Sequence, residues 1–170
     1  NPAIRLDAAE ADIPLLDPGA SCRLMLDGRM LGYVGQLDAE GVKQFDLRGP
    51  TTVAEVSLAP LVECAELVPR YAPLPPYPLV TRDLNLVVAE SVPWAQIAAT
   101  VRQNGGETLE SLDYRDTYRD AQRLGKDKKS LLLTIGLRSK EGTLTSQQAD
   151  EIRDRVVAAC RREHGAELRA

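Results

Sequence analysis

Four prolines fall within the seven residues Ala72–Pro78 (APLPPYP), and this stretch limits the possible folds more than any other. Proline fixes φ, lacks a backbone N–H and blocks the helical turn before it. The residue preceding each proline is pushed out of the helical region as well. Neither a helix nor an internal strand can run through such a segment, so it is expected to be an extended, stiff linker. With 170 residues the chain has length for two small domains. The break is placed near Pro76, giving parts 1–76 and 77–170.

The two parts differ in charge. The whole chain carries 21 Lys/Arg and 25 Asp/Glu, net -4. Residues 1–76 hold 6 basic and 11 acidic side chains, whereas residues 77–170 hold 15 and 14. A net-negative chain does not coat nucleic acid non-specifically. Any such contact is therefore expected on a local patch of the second part. The apolar fraction of 44% suits a packed core, and with aromatics at 4% that core must be aliphatic. No apolar run approaches a membrane span, and no basic stretch leads into a hydrophobic one at the start. Neither a transmembrane helix nor a signal peptide is expected. The 3 cysteines, Cys22, Cys64 and Cys160, are widely spaced, and His164 is the only histidine. That excludes a zinc framework and a disulfide scaffold and suits a cytosolic location. The chain begins Asn-Pro rather than Met, so it is expected to be a piece of a longer one.

In the first part, residues 1–18 show no clear period and are expected to be a connector or a severed edge. From Ala20, Cys22, Leu24 and Leu26 alternate with polar neighbours, Asp27-Gly28 signals a two-residue hairpin turn, and Met30–Leu37 is the return strand. Gly32 and Gly35 leave room for close backbone approach. Asp38–Leu47 reads as a loop or short helix, Thr52–Leu58 as a strand, and the segment from Ala59 to Ala65 as a short helix with Pro60 in its first turn. The result is a small antiparallel sheet.

The second part reads as β-α-β-β-α-β, an α+β, ferredoxin-like antiparallel sheet with both helices on one face. Arg82–Ala89 is a strand. Ser91 is expected to cap a helix with Trp94, Ile97, Ala98 and Val101 inward, stopped at Gly105 or Gly106. Leu109–Ser139 reads as two strands joined by a basic loop. Thr145 and Gln148 form a capping box opening a helix that packs through Ala149, Ile152, Val156 and Ala159 or Cys160. A short strand follows Gly165. His164, at the helix end, suits the dipole.

One face of this sheet stays open, with the first and third strands central. They offer Asp83, Asn85 and Val87, and Ser130, Leu132, Thr134 and Gly136. No aromatic stands on those two strands, so base stacking would fall to Tyr118 at the end of the second. Tyr114 and Tyr118 lie beside Arg119, Arg123, Lys126, Lys128 and Lys129, which suits either RNA binding or a solvated hairpin. There is no phosphate-cradling glycine motif, no nucleophile with a nearby histidine and no metal-ligand cluster, so no catalytic role is expected.

Five blocks carry a resemblance: Tyr77–Val88 (YPLVTRDLNLVV), Asp116-Thr117-Tyr118, Gly125–Leu131 (GKDKKSL), Gly142–Thr145 (GTLT) and Gly165–Arg169 (GAELR). Together they resemble the ferredoxin-fold anticodon-binding domain that closes the β subunit of bacterial phenylalanyl-tRNA synthetases. In the first part, Asp17–Ser21, Leu31–Leu37 and Val53–Leu61 resemble the end of the non-catalytic synthetase-like module preceding that domain. Arg115 stands where the family has phenylalanine. Either the strand register shifts there and Tyr114 fills the core, or the edge is more exposed.

The resemblance implies recognition of tRNA-Phe by its anticodon, within an enzyme that charges tRNA with phenylalanine using ATP and magnesium. Catalysis would sit on the α subunit, with no DNA or membrane partner and no cofactor or metal in this chain. It places base stacking on Tyr118, base-edge contacts on Asp83, Asn85 and Ser130, and phosphate contacts on Arg82, Arg119, Lys128 and Lys129. For Arg82, an ion pair with Asp83 is the competing expectation. The alternative is a regulatory or subunit-docking ferredoxin-like module that binds no RNA.

Overall fold

The computed structural model of the chain describes residues 4–68, 71 and 73–169, which divide into two compact units, Asn1–Ala72 and Pro73–Ala170. Residues 73–79 of the proline segment belong to no helix or strand, and Ala72 lies outside the described residues.

The first unit is built on an antiparallel sheet in the order β1-β2-β3-β4, formed by Leu6–Ala9, Leu16–Leu26, Arg29–Leu37 and Thr52–Val56. Asp27 and Gly28 join β2 to β3 with φ of +48° and +77°, the positive pair that a two-residue turn needs to match strand twist. A Cβ on Gly32 would collide with the Glu55 carbonyl of β4, so glycine is required there. Two short helices, α1 (Ala39–Gln44) and α2 (Leu58–Glu63), complete the unit. Asp38 Oδ1 caps α1 by accepting the Gly41 N–H at 2.6 Å. Of the two expectations for residues 1–18, residues 6–9 take the edge: they form the outer strand of the sheet, paired Leu6 to Leu26 and Ala9 to Arg23. LDAA has no period of its own; it is ordered by the long free edge of the eleven-residue β2. Residues 1–3 of that stretch lie outside the described residues.

In the second unit, β5 (Val80–Ala89), α3 (Trp94–Gly105), β6 (Leu109–Tyr118), β7 (Lys128–Leu137), α4 (Ser146–His164) and β8 (Glu167–Leu168) follow in the expected sequence. The sheet order is β6-β7-β5-β8, with every ladder antiparallel. The fold is α+β and ferredoxin-like. Leu84, Leu86 and Val88 of β5 and Leu131, Leu133, Ile135 and Leu137 of β7 pack against Ile97 and Val101 of α3 and Ile152, Val156 and Cys160 of α4. Full burial of each such side chain contributes about 1.5–3 kcal/mol, which fixes the register and leaves the alternate residues on the other face.

The helix ends hold the unit together. Thr145 Oγ1 accepts the Gln148 N–H at 3.2 Å, while the Thr145 N–H donates to Gln148 Oε1 at 2.9 Å. Gly165, at φ +62°, closes α4 in the left-handed conformation. His164 Nε2 lies 2.8 Å from Thr100 Oγ1, so the histidine ties α4 to α3 as well as standing at the helix end. Ser91 does not cap α3. The chain turns at Ala89–Val92 through a 3.1 Å backbone bond, and the helix starts at Trp94 with Pro93 as its N-cap. A proline's fixed φ suits that boundary and moves the start two residues past the serine.

A bulge governs β6. Tyr114 pairs with Leu133 and Asp116 with Leu132, so Arg115 is an extra residue with no partner across the ladder. The register shifts here, as the first of the two alternatives at Arg115 had it, but Tyr114 stays 48% exposed instead of filling the core, so the edge is also open as the second had it. Tyr114 turns to the helical face and meets Trp94 edge-on, ring centroids 5.4 Å apart. Past the bulge the alternation is reset. Thr117 follows Tyr114 onto the helical face and receives its hydroxyl proton at 2.8 Å, while Tyr118 pairs with Ser130 on the open face.

Candidate nucleic-acid interface

Cross-strand pairs share a face, so the open face is read from the register. One row holds Tyr118, Ser130, Val87 and Glu167; the next holds Asp116, Leu132 and Asn85; the third holds Asp113, Thr134 and Asp83. The polar members bond across the sheet. Ser130 Oγ donates to Asn85 Oδ1. Thr134 Oγ1 donates to Asp83 Oδ1 at 2.6 Å and accepts from Arg115 Nε at 2.9 Å. Of the residues expected to meet base edges, Ser130 is buried, Asp83 exposed and Asn85 half-buried; Thr134 beside them is buried as well. Asp83 Oδ2 and the Asn85 amide nitrogen are left available for a ligand, because both interior bonds use the Oδ1 atoms.

Tyr118 stands at the edge of this surface, 42% exposed. Its hydroxyl donates to Asp120 Oδ2 at 2.7 Å. That hydrogen bond raises the phenol pKa above its ordinary value and, seen from the other side, holds the Asp120 carboxyl below the usual carboxylate range. The Gln122 and Arg123 N–H groups donate to Asp120 Oδ1 at 2.9 and 3.1 Å. The ring is thus tethered by one corner with its body in solvent.

The expected phosphate ligands separate. Lys128 and Lys129 are strand residues rather than loop residues, paired with Ala89 and Val88, and adjacent strand residues face opposite ways. Lys128 stands on the open face near Glu167, 3.6 Å away. Lys129 lies on the covered face, its side chain 10% exposed, and donates to the Glu90 carbonyl at 2.7 Å. Arg119 grips the Glu90 carboxylate with contacts of 2.7 and 3.1 Å, and this lowers the Glu90 pKa. Arg82 does not pair with Asp83, which points the other way. It reaches Asp150 of α4 at 2.9 Å and lowers that carboxyl's pKa. Of the four cations only Lys128 stands on the open face. Arg82, Arg119 and Lys129 have carboxylate partners that hold strand ends and helices in place. The opposed facing of Lys128 and Lys129 follows from strand alternation alone; the partners of Arg82 and Arg119, 68 and 29 residues away, carry no local signal. Thr134 and Arg115 were not singled out as functional from sequence, although Thr134 sits opposite Asp83 by the same alternation.

Comparison with known proteins assigns this surface to a family. Residues 75–169 match the model of the "Ferredoxin-fold anticodon binding domain". The chain belongs to that family. Residues 2–58 match a second model, "Phenylalanyl tRNA synthetase beta chain CLM domain". The chain is also similar to phenylalanine–tRNA ligase beta subunits: 40% identical over 81% of its length to that of Rhodopirellula baltica, 33% over 98% to that of Geobacillus kaustophilus, and 32% over 91% to that of Bacillus cereus. It spans about a fifth of the length of each (20%, 20% and 19%). Both units of the chain are therefore covered by family resemblance, and the bulged strand with Tyr118 lies inside the anticodon-binding match.

Proposed function

We propose that residues 77–170 hold a tRNA-Phe by its anticodon within a phenylalanine–tRNA ligase, and that residues 1–76 end the non-catalytic synthetase-like module preceding them. The observation that carries this reading is an exposed tyrosine at the edge of the open face of a sheet whose family binds anticodons. Tyr118 stacks one base. Asp83 Oδ2 and the Asn85 amide meet base edges, with Ser130 and Thr134 orienting them. Lys128 serves a phosphate, while Arg82, Arg119 and Lys129 act through the fold. The chain performs no chemistry of its own. The whole enzyme, using ATP and magnesium in the cytosol, joins phenylalanine to tRNA on its α subunit.

The test is binding of the 170-residue chain to an anticodon stem-loop carrying GAA and to one carrying another anticodon. Tighter binding to GAA is expected. Equal binding to both would remove sequence reading and leave only contact with the RNA backbone.

A further inference from the structure

We infer that Arg123, Lys128 and Arg169 form a cleft for one backbone phosphodiester of the RNA strand whose base lies on Tyr118. This rests on the anticodon reading above and deepens it. A cavity of about 210 Å³ opens where the loop after β6 meets the ends of β5, β7 and β8, and these three cations line it together with Glu167, Val87 and Leu124. Counted with Asp120, which pairs with Arg123 from outside the lining, three cations face two carboxylates and leave a local surplus of one positive charge, carried by Arg169. Two of the three are arginines, whose planar forks match phosphate oxygens.

The cations are placed rather than merely near. Lys128 lies 3.6 Å from Glu167. The Arg169 N–H donates to the Asn85 carbonyl at 2.8 Å, which fixes the residue at the sheet end while its guanidinium has no partner among the described residues. Arg123 is bound to Asp120 through its backbone N–H at 3.1 Å, and its Nε lies 3.7 Å from Oδ2 of the same carboxylate. Asp120 also accepts the Tyr118 hydroxyl, so one carboxylate positions both the stacking ring and a cleft cation. Val87, in the cleft wall, shares a row with Ser130 and Tyr118. Two strand spacings, about 10 Å, separate the cleft wall from the tyrosine backbone. A phosphate flanking a base stacked on the ring falls within that reach.

The test titrates salt against binding of the GAA stem-loop to the 170-residue chain and to its Arg123→Gln, Arg169→Gln and double variants, with Lys140→Gln, beyond the opposite end of β7, as control. Loss of one phosphate contact lowers the slope of log K against log salt by about 0.7, so a fourfold rise in salt costs the double variant about 2.6-fold less affinity than the parent. The preference for GAA is retained, and Lys140→Gln matches the parent. Thermal melts of each variant confirm that the fold is intact. A parent slope kept by the double variant overturns the cleft and leaves the base-reading role standing. Failure of the parent to bind any stem-loop overturns the anticodon reading and the cleft's RNA assignment together. In a second arm, inorganic phosphate is followed by NMR at residues 122–128 and 167–169. Saturation there with no RNA binding reassigns the cleft to free phosphate and overturns the proposal.

Discussion

Replacing Tyr118 separates the ring from its hydroxyl, and the structure sets what each is worth. The side chain is 42% exposed, so truncation to alanine removes a half-buried ring. Full burial of a large apolar side chain contributes about 1.5–3 kcal/mol, so Tyr118→Ala costs the fold about 1 kcal/mol and the domain stays folded. On the proposed function a base stacks on the ring. Alanine substitution at such a stack costs about 1–3 kcal/mol, which is about 5- to 160-fold in Kd. Tyr118→Phe keeps the ring and loses only the exposed bond to Asp120. That bond is open to water, which weakens it, and the larger part of its loss falls on loop order rather than on the stack. The expected ranking is therefore parent close to phenylalanine, with alanine far weaker. Fluorescence anisotropy with a labelled GAA stem-loop, at one fixed salt concentration, measures all three. If phenylalanine loses as much as alanine, the hydroxyl and its Asp120 tether carry the interaction. If alanine binds like the parent, no base stacks on Tyr118.

Three further outcomes follow from the geometry. Burial pushes the Cys160 thiol up to about 11, so a thiol reagent at neutral pH should label Cys22 and Cys64 quickly and Cys160 only at the rate of unfolding; rapid labelling of all three would contradict the packing of α4. Arg82 holds the Asp150 carboxyl below its unfolded value, so that contribution to stability is present above the unfolded carboxylate pKa and is lost as pH falls through the folded one. The gap in urea midpoint between the parent and Asp150→Asn should close on acidification, and a gap that widens would reverse the assignment. Finally, Glu90→Gln should lower the melting temperature more than Glu167→Gln. The first removes the carboxylate 3.7 Å from Lys129, whose side chain is 10% exposed, and leaves its charge only the Glu90 carbonyl, whereas the second frees Lys128, whose side chain is already 43% exposed; unpaired charge is costly only where water is excluded.

The fold was largely legible because its signals are local. Alternation in β5 and β7, the Asp27-Gly28 turn, the Thr145 and Gln148 box and the closing Gly165 each act within a few residues. The strand at residues 6–9 was open to two readings because its order comes from an edge formed elsewhere. Ser91 misled because a good capping residue lost to a proline two positions on. At the site, Asp83 and Asn85 reach the open face by alternation and Tyr118 only through the bulge at Arg115, while the cations could not be sorted by composition. Arg82 and Asp150 meet only after α4 lies across β5, and Arg169 joins the cleft only because two residues of β8 pair with β5.

Tyr114 and Tyr118 are four residues apart, and an unbroken strand would send both to one side. The bulge leaves Arg115 out of the ladder's count, so everything after it is presented in the opposite sense to that of an unbroken strand. Were Arg115 taken into the ladder as a paired residue, Tyr118 would turn toward the helices and Thr117 toward the open face, whereas deleting Arg115 outright would leave Tyr118 opposite Ser130. The facing of Tyr118 thus depends on which residues of β6 are counted into the ladder as much as on their kind, so a variant that pairs Arg115 would turn Tyr118 from the open face without replacing it.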